Sequence, residues 1–172
     1  MTPEESPVAG IVIRPARRDD RELLIDLLTL LQDNERAIHA NPRPGAEVAE
    51  TALANIERRK ATHNGTALIA ERGGEAVGFI ACYGDHDDDN LIYADRRDHG
   101  YISNMFVTPA RRGHGVGGAL LDAAEAYLAN RGFTRVRLWV LEGNSPSRAI
   151  YEKRGYRGYE IIYEKELARH GA

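Results

Sequence analysis

Seven consecutive residues, Arg112-Gly113-His114-Gly115-Val116-Gly117-Gly118, join a cation to four glycines. Apolar residues then recur at Val116, Leu120, Leu121, Ala124, Tyr127 and Leu128, the spacing of one helix face. The first N–H groups of a helix have no partner within it, and the helix dipole favours negative charge there. Glycines let an anion approach that backbone closely, so the segment reads as an anion site suited to a pyrophosphate. Arg111 and Arg112 add positive charge beside it.

Two common phosphate motifs fit poorly. A P-loop needs Lys and then Ser or Thr after its last glycine, where this chain has Gly118-Ala119. Gly113, Gly115 and Gly118 satisfy the dinucleotide pattern G-x-G-x-x-G, but residues 108–112 separate them from the preceding strand. The acid that pattern wants about 20 residues later is also missing, Glu142 lying too far along. What remains is Val107-x-Pro109, then Arg112-x-x-Gly115-x-Gly117. A second segment follows: Asn144-Ser145-Pro146-Ser147-Arg148-Ala149-Ile150-Tyr151-Glu152-Lys153-Arg154-Gly155-Tyr156. Ser145 and Pro146 suit a helix start, and Ser147 and Tyr151, four apart, share its face. By itself this segment reads more readily as a short core helix with Asn144 as its cap.

With both segments in this order, the chain resembles the GNAT superfamily of N-acetyltransferases, whose acyl-CoA motif has the form Q/R-x-x-G-x-G/A. The motifs carry the resemblance over residues 67–165, and the order of elements extends it to the whole chain. It implies acetyl-CoA as co-substrate, held by Met105, Phe106, Val107, Arg112, Gly113, His114, Gly115, Val116, Gly117, Gly118, Asn144, Ser147 and Tyr151. It places Asn144 on the pantetheine arm and Tyr151 near the sulfur, as the acid that protonates the departing thiolate. The implied reaction moves an acetyl group to a primary amine of a small molecule or peptide, by direct attack in a ternary complex. A homodimer is expected on family grounds alone. The competing reading is a non-catalytic acyl-CoA-binding or regulatory module of the same fold, and amine-dependent thiol release separates the two.

Acyl transfer to an amine makes three demands. The amine, with a pKa near ~10, must lose a proton, so a base or a relaying water is required. The oxygen that gathers charge needs donors, which the resemblance places on the backbone of residues 104–107. The thiolate, with a pKa of about 8.5, takes a proton, which a phenol can supply. Many family members carry a carboxylate on the central strand. Here that strand, Tyr101-Ile102-Ser103-Asn104-Met105-Phe106-Val107, has none. Asp98 and His99 just before it, and Glu35 and His39 near the end of the first helix, are the remaining candidates. Each competes with the reading of a solvated surface group, which leaves proton loss through water as the default. The run His86-Asp87-Asp88-Asp89-Asn90 lacks the ligand spacing of an EF-hand, and no metal is expected. Its charge could draw in a cationic acceptor, although a solvated loop is the commoner role of such a run.

The elements that must position these residues follow from hydrophobic periodicity. Strands are expected at residues 11–13, 66–71, 76–83, 101–107, 135–141 and 159–166, and helices at 23–38, 46–61, 116–131 and from 145 to a stop at Gly155. Gly73-Gly74 makes a hairpin turn. The order β-α-α-β-β-β-α-β-α-β gives an α/β (α+β) fold with a mixed, mostly antiparallel sheet flanked by helices. The GNAT resemblance adds a V-shaped splay in that sheet.

The 172 residues suit a single domain, assigned to 11–172, behind a loose tail at 1–10. A hydrophobic fraction of 42% supports a sizeable core. A net charge of −3 argues against general attraction to nucleic acid or to anionic membranes. Cys82 is the only cysteine, which excludes an internal disulfide and fits a reducing, cytoplasmic setting. Residues 1–10 lack the pattern of a signal peptide, and no apolar run is long enough to span a bilayer.

Overall fold

Four strands pair antiparallel in chain order, and a fifth joins the last of them in parallel. The computed structural model describes residues 10–167. Its elements are β1 (Ile11–Pro15), α1 (Arg21–Arg36), α2 (Gly45–Thr62), β2 (Thr66–Arg72), β3 (Glu75–His86), β4 (Asp98–Val107), α3 (Val116–Ala129), β5 (Val136–Leu138) and α4 (Ser145–Lys153). The sheet order is β1-β2-β3-β4-β5. Apart from Gly10, the tail expected at 1–10 lies outside the described residues.

Successive strand residues point to opposite faces, and both faces of this sheet are covered. On one, Ile69, Phe79, Ala81 and Phe106 meet Leu24, Leu27 and Leu28 of α1 and Ala49, Leu53 and Ile56 of α2. On the other, Ala70, Ile80, Cys82 and Ile102 meet Val116, Leu120, Leu121, Ala124 and Leu128 of α3. Each fully buried aliphatic or aromatic side chain contributes about 1.5–3 kcal/mol, so this three-layer packing is what holds β4 and α3 in place.

Two features of β4 prepare a site. First, its register against β3 passes from Ala81↔Asn104 to Cys82↔Ile102, so Ser103 is an extra residue in the strand. Such a bulge bends and twists its strand. Second, β5 pairs with β4 only at Gly100↔Val136, Tyr101↔Arg137 and Ile102↔Leu138. Over residues 103–107 β4 keeps β3 on one side and, among the described residues, has no strand on the other. The sheet therefore splays at the bulge, as the resemblance implied.

The structure departs from the expected elements in three places. The strand expected at 135–141 is only three residues long, because the splay removes its partner beyond Ile102. The strand expected at 159–166 does not form. Ile161-Ile162-Tyr163 breaks the alternation a strand needs, short β5 offers little edge to pair with, and these side chains stay largely exposed. The segment touches the rest of the fold through the Arg137 guanidinium, 4.4 Å from the Tyr159 ring centroid, and an Asn41–Glu164 contact of 3.4 Å. Finally, β3 and β4 run on to a His86↔Asp98 pair, which narrows the irregular acidic stretch to residues 87–97. Among the described residues no helix is long and apolar enough to cross a membrane.

Candidate active site

The turn after β4 is built to leave backbone N–H groups free. A 3-10 turn at Pro109–Arg111 leads into Gly113 and Gly115, whose φ values of 77° and 79° lie in the left-handed region. A residue with a Cβ is strained there, which is why glycine recurs at these two positions. Gly115 occupies the N-cap of α3, where no side chain caps the helix and no acid stands in the first turn. Among the described residues nothing accepts from the N–H groups of Val116, Gly117 and Gly118. The Val116 side chain is buried in the core, so its N–H is all it can offer. His114 is exposed, and its Nδ1 lies 2.8 Å from the Arg112 carbonyl oxygen.

Arg112 has a second task that its sequence position did not reveal. Its Nε donates to the Val107 carbonyl (3.1 Å), and its Nη2 donates to Asn34 Oδ1 at the end of α1 (3.1 Å). It thus ties the end of β4 to α1. Along the outer side of α3 runs a depression of about 580 Å³, lined by Gly115, Gly118, Ala119, Asp122, Ala123 and Arg154. Arg154 pairs with Asp122 there, and its buried Nε has no acceptor among the described residues. The sequence reading assigned Arg154 no role, although it is a cation within the second motif.

A second, narrow cleft of about 60 Å³ opens where β4 and β5 part. It is lined by Leu31 and Glu35 of α1, residues 102–105 of β4, residues 138–141, and Asn144, Ser147 and Tyr151. Asn144 is the N-cap of α4, its Oδ1 accepting the Ser147 N–H at 3.3 Å. That leaves its amide NH₂ as its free donor. Ser147 and Tyr151 both reach the cleft, as their four-residue spacing predicted. Burial pushes the Tyr151 phenol above its ordinary value of 10.0, and the charge of Glu35 adds to the rise. Tyr151 packs against Tyr156 with ring centroids 5.8 Å apart, and the Tyr156 hydroxyl donates to Glu125 at 2.9 Å, fastening the end of α4 to α3. Met105 lines the cleft, whereas the Phe106 side chain is buried against α1 and α2. Phe106 can therefore contribute only backbone to this site.

The candidate bases part company here. Asp98 pairs with His86 at 2.7 Å, and His99 is buried with its Nδ1 against the Arg97 carbonyl at 2.9 Å. Both sit at the far end of β4, roughly 16–20 Å from Asn104 at the strand rise of about 3.3 Å per residue. His39 accepts the Asn41 N–H at 3.2 Å and does not line the cleft. Glu35 does, and burial raises its carboxyl above its ordinary value of 4.5. In the acidic run, Asp87 is paired with Arg137 at 2.6 Å and Asp89 holds the Leu91 N–H at 2.8 Å. No group of His, Cys, Asp and Glu is arranged to hold a metal among the described residues. Sequence reasoning missed Trp139, Leu31 and Leu141 as cleft residues, since nothing in their spacing marks them apart from core positions.

Comparison with known proteins bears on the family and the fold. The model of the acetyltransferase (GNAT) family matches residues 24–156. YhfO, an uncharacterized N-acetyltransferase of Bacillus subtilis, is 30% identical over 146 residues, covering 84% of this chain and 88% of that protein. The mycothiol acetyltransferase of Amycolatopsis mediterranei is 32% identical over 127 residues, 74% of this chain but only 41% of its own length. A predicted acetyltransferase from Clostridium acetobutylicum, whose crystal structure was determined with acetyl-CoA, superposes with a TM-score of 0.69 at 20% identity, covering 93% of this chain and 98% of that one.

Proposed function

The chain belongs to the GNAT acetyltransferase family, and from that premise we propose that it moves an acetyl group from acetyl-CoA to a primary amine within the β4–β5 cleft. The observation that carries the proposal is the alignment of two openings on one strand. An uncapped helix N-terminus follows the end of β4, and a cleft holding a buried phenol lies along its unpaired edge.

The residues present suit a CoA thioester. The free N–H groups at Val116, Gly117 and Gly118 are donors for a pyrophosphate. The buried, acceptor-less Nε of Arg154 is one more donor beside them. The Asn144 amide and the Ser147 hydroxyl face the cleft that a pantetheine arm would follow. When bound, the thioester supplies the acetyl group and a thiolate leaving group. The unpaired edge of β4 offers backbone donors to the carbonyl oxygen. Tyr151 holds its proton across the neutral range and gives it to the departing sulfur.

Direct attack by the amine is supported against transfer through the enzyme. Cys82, the only cysteine, is buried on the α3 face with its thiol pushed up to about 12, so it offers no thiolate nucleophile. Ser103 and Ser147 line the cleft without a histidine among its lining residues to activate them. We place the acceptor among small molecules or peptides, in a single GNAT domain that acts as a homodimer. Release of thiol from acetyl-CoA in the presence of a panel of primary amines tests the proposal. Amine-dependent release is expected. Tight CoA binding without release in the presence of any amine would return the chain to the non-catalytic reading.

A further inference from the structure

Three successive residues at the end of α1 have different fates. Asp33 Oδ1 accepts the Gly45 N–H at 2.8 Å and holds the start of α2. Asn34 Oδ1 accepts Arg112 Nη2 at 3.1 Å and holds the end of β4. Glu35, which directly follows these two tethers in sequence, has no side-chain hydrogen bond or ion pair among the described residues, yet it lines the cleft. The only other ionisable side chain among the cleft's lining residues is Tyr151. The neighbouring cations do not neutralise Glu35. Arg36 and His39 follow it on the same stretch without lining the cleft, and Nε and Nη2 of Arg112 are committed to Val107 and Asn34. A half-buried carboxylate without a counter-ion is costly, and burial alone already favours its protonated form.

We propose that Glu35 receives the ammonium of the acceptor and takes its proton, so that the acceptor is an alkyl amine carrying positive charge. This rests on the acetyltransferase reading above and names its substrate class and missing base. The protonated amine supplies the missing counter-ion as it enters.

Protons and bonds balance. Glu35 accepts one proton from the ammonium, and the nitrogen lone pair then forms a bond to the acetyl carbonyl carbon. The C–S bond breaks, and its electron pair leaves on sulfur, which takes the Tyr151 proton. The nitrogen gives a second proton to the tyrosinate, and Glu35 releases the first to solvent. One ammonium and one thioester become one amide, one thiol and one free proton. This assigns the base to α1, since β4 brings no acid to the cleft and its Asp98 is paired with His86 at the far end of the strand.

The test compares Glu35→Gln and Glu35→Asp with the wild type on two acceptors. One is the alkylamine turned over fastest in the panel, which is protonated at neutral pH. The other is hydroxylamine, which is neutral there. For Glu35→Gln, kcat/KM for the alkylamine should fall about 10²-fold or more at neutral pH, and its pH profile should lose the break that reports Glu35 and climb instead toward the amine's own pKa of ~10. The loss on hydroxylamine should be under about tenfold, KM for acetyl-CoA should stay unchanged, and Glu35→Asp should recover part of the rate. Wild-type kcat/KM in Glu35→Gln, or equal losses on both acceptors, would overturn the assignment. Absence of amine-dependent thiol release by the wild type would instead overturn the acetyltransferase reading beneath it.

Discussion

Replacing Tyr151 with Phe removes one oxygen from the cleft and leaves the ring. The packing on Tyr156 is kept, and among the described residues the lost hydroxyl has no hydrogen-bond partner. Stability should therefore change by no more than about 0.5 kcal/mol. General acids contribute roughly 10²–10⁴-fold. The lower end is expected here, because a thiolate with a pKa of about 8.5 leaves tolerably well unaided. A 10²-fold loss corresponds to about 2.7 kcal/mol of barrier. It should appear in kcat, with KM for acetyl-CoA unchanged, when thiol release is followed at saturating amine. The pH dependence gives an independent sign. Only the protonated phenol can donate, and its pKa is raised above 10.0 by burial and by Glu35. Wild-type kcat should thus be flat through neutrality and fall only above pH ~10, a fall that Tyr151→Phe lacks. A variant that keeps its rate to within twofold, or that loses acetyl-CoA binding in proportion to its rate, would refute the acid assignment.

Two further outcomes follow from the supporting structure. Gly115→Ala forces an L residue into φ 79° at the N-cap of α3; calorimetry should show a stability loss of about 1–2 kcal/mol and an acetyl-CoA affinity roughly tenfold weaker. Asp20, which accepts two N–H groups of Arg14 and the Arg17 N–H, has its carboxyl lowered from 3.8 to about 2. Its contribution is therefore fully present above pH 3.8 and lost as pH falls through about 2. Asp20→Asn should remove about 1–2 kcal/mol after allowance for solvent screening and flatten stability across that window in acid-denaturation curves.

What the sequence made legible was local. The left-handed glycines, the Asn144 cap and the Ser147–Tyr151 spacing act within a few residues, and each sits where its residue type required. What it hid was long-range. Asp98 and Glu35 look alike as carboxylates near a predicted element, and only the path of α1 over the splayed sheet brings one to the cleft. The second task of Arg112 was hidden because its partner Asn34 lies 78 residues away. The strand expected at 159–166 had adequate composition, but strand formation depends on a neighbour, and three-residue β5 supplies little edge. The splay that shortens β5 is also what opens the cleft, so the same feature that defeated the strand prediction makes the site.

The most direct test of the account follows the acetyl group itself. Acetyl-CoA carrying carbon-13 at its carbonyl is mixed with the protein and a primary amine, and the carbon is watched by NMR while the intact protein is weighed by mass spectrometry. The account predicts that the label passes from thioester to amide only when protein and amine are both present, and that the protein mass never rises by an acetyl group during turnover. Label that stays in the thioester, or that appears first on the protein, would contradict it.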